Sequence, residues 1–160
     1  MSVSGVTVPQ YGVYGEHAVL YCSYSSVQPV YSVRWYKNGK EFFSYLPGKV
    51  SPITIHNLPG INVELTKSSM NYVTLSPLSL DSTGRYRCEV SEEGPMFATD
   101  SAYGDLLVVV VPQEGPELIG ARSRYFLGEN ISINCTSSPT LPPANLTFYI
   151  NQKLVSINLP

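Results

Sequence analysis

"DSTGRYRCEV", residues 81–90, decides the fold of this chain. Alternate residues of a β-strand share one face. Tyr86, Cys88 and Val90 therefore point one way, and Arg85, Arg87 and Glu89 the other. A cysteine on the apolar side of such a strand calls for a second cysteine upstream, with a large side chain packed between them. Cys22 stands 66 positions before Cys88, and Trp35, the single tryptophan, stands 13 positions after Cys22.

A Cys–Trp–Cys order at this spacing resembles the immunoglobulin signature, two sheets tied by a disulfide with an indole against it. A Cys22–Cys88 bridge closes a long loop, which in the chain-entropy account stabilises the fold by roughly 4 kcal/mol. Tyr86, two residues before Cys88, holds the place of the tyrosine corner, whose hydroxyl bonds back to nearby backbone. Gly84 is expected to let the chain turn tightly into that strand. Asp81 commonly pairs with an Arg in such domains. No Arg lies between Pro47 and Asn71, so Lys49 or Lys67 takes its place or the pair is missing. The competing reading, three unrelated cysteines in a reduced protein, leaves Trp35, Tyr86 and the alternation without a cause.

Composition agrees with strands. The 160 residues are 43% hydrophobic and 14% charged, with a net charge of −2, twelve tyrosines and thirteen prolines. That balance gives no electrostatic preference for nucleic acid or anionic membrane. The start, "MSVSGVTVPQ", lacks the basic and apolar regions of an export signal. The run "LLVVVV", 106–111, is too short to span a bilayer and reads as a buried strand. Export, if the disulfide reading holds, depends on a signal expected outside this sequence, as does any anchor.

A shift of 113 residues aligns "GEHAVLYC" (15–22) with "GENISINC" (128–135), and "WYKNGK" (35–40) with "FYINQK" (148–153). A period near a hundred residues denotes tandem domains. The expected division is a variable-type domain over 1–111, a proline-bearing linker "PQEGPE" over 112–117, and the start of a second domain over 118–160. Phe148 stands where the first repeat has Trp35, and Gln152 where it has Gly39. The partner of Cys135 and the later strands of that domain are expected outside this sequence. The fold class is thus all-β, a variable-type immunoglobulin sandwich followed by the truncated start of a second immunoglobulin-like domain.

Period-two alternation assigns the faces. On strand B, Ala18, Leu20 and Cys22 point inward. On strand C, Val33 and Trp35 point inward, with Ser32, Arg34 and Tyr36 outward. Asn38-Gly39 forms a hairpin turn. On C′, Phe42 is expected inward and Glu41, Phe43 and Tyr45 outward. Residues 61–68 read as strand D, 71–78 as strand E, 91–97 as the F–G loop, and the run from Tyr103 as strand G. The outward residues Arg34, Tyr36, Phe43, Tyr45, Arg87 and Glu89, with Met96 and Phe97 extending them, interleave aromatics with arginine as protein-binding surfaces do. A partly solvated sheet carrying amphipathic side chains is the alternative.

Three glycosylation sequons, at Asn130, Asn134 and Asn145, all lie in the second repeat. The two histidines, His17 and His56, have no ligand-spaced partners, so no metal site is expected. No phosphate loop or nucleophile–base set occurs, so neither a cofactor nor catalysis is expected.

"YSVRWYKNGKEFFSYLP", "LPGINVELTKS", "DSTGRYRCEVSEEGPMF" and "VVVVPQEGPELIG" resemble the beaten path family of arthropod neuronal immunoglobulin-superfamily proteins. The resemblance covers about residues 3–157 and is most specific in "LPGINVELTKS". It implies an extracellular protein, secreted or cell-surface anchored, acting in axon guidance and synaptic partner choice. It also implies binding of Sidestep-type immunoglobulin receptors on other cells through the C, C′, F and G strands of the first domain. Homophilic adhesion and a structural spacer are the alternatives. No nucleic acid or small-molecule substrate is expected.

Overall fold

The computed structural model describes residues 1–155. They form two compact units, Met1–Val109 and a second beginning at Val110. The second domain expected over 118–160 includes residues 156–160, which lie outside the described residues.

Nine strands build the first unit: β1 (Ser2–Thr7), β2 (Tyr11–Val13), β3 (Ala18–Ser25), β4 (Val30–Lys37), β5 (Lys40–Tyr45), β6 (Ile53–Ile55), β7 (Tyr72–Leu75), β8 (Gly84–Glu92) and β9 (Thr99–Val109). One sheet has the order β1-β3-β7, the other β2-β9-β8-β4-β5-β6. Only β2 and β9 run parallel among these pairs. The layout is an all-β immunoglobulin-like sandwich of the variable type. Cys22 on β3 and Cys88 on β8 form the disulfide between the sheets, with Cα atoms 6.2 Å apart. Trp35 is the register partner of Cys88. The indole is fully buried beside Leu20, Phe42, Val73 and Leu106 in one core. Its Nε1 has no hydrogen-bond acceptor among the described residues, so apolar packing alone holds it there.

The corner that precedes β8 explains the opening stretch. Residues Leu80–Ser82 make a 3₁₀ turn. The Tyr86 hydroxyl donates to the Ser82 carbonyl at 2.6 Å. Burial pushes the Tyr86 phenol above its ordinary pKa, so it stays a donor. The buried Ser82 hydroxyl accepts from the Ser79 N–H at 2.9 Å and donates to the Gly60 carbonyl at 2.6 Å. Gly60 has φ +78°, and a Cβ there would lie 2.2 Å from the backbone carbon and oxygen of Asp81. Asp81 forms no ion pair among the described residues. Gly84 adopts no left-handed turn. It lets the Asn38 side chain close in, and Asn38 Oδ1 accepts the Arg85 N–H at 3.0 Å.

Two strand expectations need correction. Phe43 and Tyr45 do not point outward. They are register partners of Trp35 and Val33, on the core side, while Glu41 pairs with Tyr36. Phe42 is the extra residue of a β-bulge at this point, so two successive phenylalanines enter the core. Alternation changes phase by one residue across a bulge, and every later side chain changes face. Strand D also shrinks, to a single bridge between Val63 and Leu75. Beyond it, Leu65–Lys67 coil into a 3₁₀ turn, and Ser68 and Thr74 hydroxyls take over the backbone bonding.

In the second unit, β10 (Glu117–Ile119) pairs antiparallel with β11 (Asn134–Thr136), and β12 (Tyr149–Ile150) with β13 (Lys153–Leu154). Glu117, expected to end the linker, is thus the first residue of a strand. Leu118, Ile131, Ile133, Phe148 and Ile150 line an open apolar cleft. Cys135, the register partner of Leu118, is a free thiol.

Candidate protein-binding face

The outward side of the six-stranded sheet carries the polar and aromatic cluster. Register places Arg34 on β4 beside Glu89 on β8, and Tyr36 beside Arg87. Tyr103 on β9 is the register partner of Arg87 and lies next to it on the other side. The Arg87 guanidinium lies 4.0 Å from the centre of the Tyr36 ring. Its Nη1 donates to Glu89 Oε2 at 2.9 Å, and the Tyr36 hydroxyl donates to Glu89 Oε1 at 3.2 Å. Arg34 Nε stands 3.3 Å from Glu41 Oε1. These half-buried charges are thus matched within the face. Burial, followed by repulsion from Glu89 and Glu41, raises the Tyr36 pKa and keeps its phenol protonated. Ser32 and Ser44, on the same outward side, are nevertheless buried.

The result is a pre-ordered surface. Guanidinium stacking and shared hydrogen bonds fix side chains that would otherwise lose rotamer freedom on binding. Arg34, Tyr36, Arg87 and Glu89 come together as the alternation predicts. Phe43, 0% exposed, and Tyr45, packed on the core, are withdrawn from this face. Two participants are added. Glu41 was placed outward by alternation and proves to be the partner of Arg34. Tyr103, 59% exposed, stands on β9 two residues before Asp105, whose carboxylate pairs with the outward Arg85 at 3.0 Å, so alternation along β9 puts it on the same side.

Met96 and Phe97 sit on the loop between β8 and β9, 77% and 73% exposed. Phe97 has φ +49°, an uncommon conformation for a bulky residue. The base of this loop is tied to the loop between β3 and β4. Buried Glu92 accepts from the Ser26 hydroxyl and the Val27 N–H, both at 3.0 Å, and the Gln28 N–H at 3.5 Å. The Glu93 N–H donates to the Pro29 carbonyl at 2.9 Å. Desolvation pushes the Glu92 carboxyl up, but the hydrogen bonds from Val27, Ser26 and Gln28 outweigh it and leave the pKa below the ordinary 4.5. A depressed carboxylate contributes stability that is fully present above the unfolded pKa and is lost as pH falls through the folded one. Glu92→Gln is therefore expected to weaken the fold at neutral pH and to lessen its acid sensitivity below about pH 4.5. Urea midpoints of parent and variant from pH 7 to pH 3 check this.

Among the described residues no group of His, Cys, Asp or Glu is arranged to hold a metal ion. No helix among them is long and apolar enough to cross a membrane.

The immunoglobulin domain family matches residues 5–102, more than half of the chain. The chain is 26% identical over 141 residues to the rat tyrosine-protein phosphatase non-receptor type substrate 1. That match covers 83% of this chain but only 27% of the relative, so the chain spans about a quarter of its length. Among solved structures, murine CEACAM1b superposes with a TM-score of 0.69 at 17% identity, over 96% of this chain and 77% of its own. The amphioxus IgVJ-C2 molecule gives 0.58 at 23%, over 86% and 74%. At such identities these structures share the fold. Domains of this kind are typical of cell-surface recognition and adhesion proteins and are typically non-enzymatic. An inter-sheet disulfide also suits an extracellular or cell-surface setting. The matched span, the bridge beside the indole and the tyrosine corner together make this chain a member of the immunoglobulin domain family.

Proposed function

We propose that this chain is an extracellular recognition protein of the beaten path type. Its first domain docks a Sidestep-type immunoglobulin receptor on another cell, in axon guidance and synaptic partner choice. The chain is exported and either secreted or anchored, and its two units are tandem immunoglobulin-like domains. The observation that carries the docking surface is the matched cluster on β4, β5, β8 and β9. Arg87 over Tyr36, the Glu89 and Glu41 carboxylates, and Tyr103 form an ordered plate, and the exposed Met96 and Phe97 stand on the β8–β9 loop at one end of the same sheet. Such a plate offers a partner aromatic area and arginine, the residues that dominate interface energetics.

Surface plasmon resonance against the first domains of a panel of Sidestep-type receptors tests this. One of them is expected to bind, and Tyr36→Ala and Arg87→Ala are each expected to weaken that binding by about tenfold or more. Both side chains lie outside the core, so each variant should melt close to the parent. Unchanged affinity in both variants would overturn this face. Binding to none of the panel, with self-association in analytical ultracentrifugation, would replace the heterophilic reading by adhesion between copies.

A further inference from the structure

We propose that the second unit is N-glycosylated at Asn130, Asn134 and Asn145, leaving the first unit bare. Asn-Ile-Ser, Asn-Cys-Thr and Asn-Leu-Thr begin at these positions, and no such triplet occurs in residues 1–109. All three asparagines are exposed. Asn134 requires the most from geometry, because Cys135 occupies the middle of its triplet. Register supplies it. Cys135 pairs with Leu118, on the side of the apolar cleft, whereas Asn134 pairs with Ile119 on the opposite side. A sugar on Asn134 therefore leaves the thiol side untouched. It lies over Ile119, an exposed aliphatic side chain on a two-stranded sheet. Asn145 stands outside any strand, where an enzyme reaches the backbone freely.

The donor is an oligosaccharide on a polyisoprenyl pyrophosphate, supplied with its transferase in the secretory pathway. The asparagine amide nitrogen forms a bond to the anomeric carbon as the bond from that carbon to pyrophosphate oxygen breaks. The electron pair leaves with the pyrophosphate, and the amide proton passes to a base of the transferase. No oxidant or reductant takes part.

The full chain, exported from cultured insect cells, tests the proposal. Peptide-N-glycosidase in heavy-oxygen water should convert all three asparagines to labelled aspartate in peptide mass spectra, with no label in residues 1–109. Ser132→Ala, Thr136→Ala and Thr147→Ala preserve the asparagines and should each remove one step of gel mobility. Unmodified peptides at all three positions would overturn the proposal. An unmodified Asn134 beside labelled Asn130 and Asn145 would overturn the account of that site.

Discussion

Gly60→Ala is expected to destabilise the first unit by about 3 kcal/mol or more. Two costs add. The residue holds φ +78°, where a Cβ is disfavoured, and that Cβ would sit 2.2 Å from the Asp81 carbon and oxygen and 2.6 Å from the Ser82 nitrogen. The obstruction is backbone on the far side, so no rotamer change relieves it. Relief would require moving the 3₁₀ turn, whose Ser82 bonds both Gly60 and Tyr86. Denaturant titration followed by Trp35 emission reads this unit alone, because the chain has no other tryptophan. Gly48→Ala serves as the control. Nothing lies within 4 Å of a Cβ at Gly48. Its midpoint should shift by less than about 0.5 kcal/mol. Equal midpoints for the two variants would refute the assignment of Gly60 as the fixed stop of that corner.

Removing the bridge is the larger perturbation. Cys22→Ala with Cys88→Ala is expected to cost about 4 kcal/mol, the loop-closure entropy regained by the unfolded chain when a 66-residue link is lost. Small domains hold only about 5–15 kcal/mol in total, so this variant approaches the threshold of folding. Calorimetry of the variant and of the parent with and without reductant measures it. A reduced parent melting like the oxidised one would remove the disulfide as the main staple. The loss should extend to the proposed docking face. Arg87 and Glu89 flank Cys88 on β8, and their spacing depends on the strand that the bridge holds.

Much of this was legible in the chain. Cys22, Trp35, Tyr86 and Cys88 declare themselves because a disulfide, an indole and a phenol corner each demand a residue type that few others replace. Alternation places Arg34, Tyr36, Arg87 and Glu89 on one side because β4 and β8 run regularly through that stretch. The C′ strand escaped the same rule. A bulge at Phe42 changes the phase without changing the composition, so Phe43 and Tyr45 look outward in sequence and face inward in space. Residues 61–68 have a strand-like pattern, yet Ser68 and Thr74 offer hydroxyl bonds that compete with a ladder. The pairing of Gly60 with the corner at residues 81–82 was invisible for another reason. The close approach is to the Asp81 backbone twenty-one positions away, and the one side chain involved, the Ser82 hydroxyl, bonds a carbonyl that every residue carries.

The carboxylate at Glu92 has a consequence for how this domain can be altered. It makes the two loops at one end of the sandwich a single hinge-free part, since the turn at 26–29 takes its shape from the root of the one at 93–98. Transplanting Met96 and Phe97 onto a foreign scaffold would then keep their conformation only if the neighbouring turn travels with them. Diversifying either turn alone would disturb both.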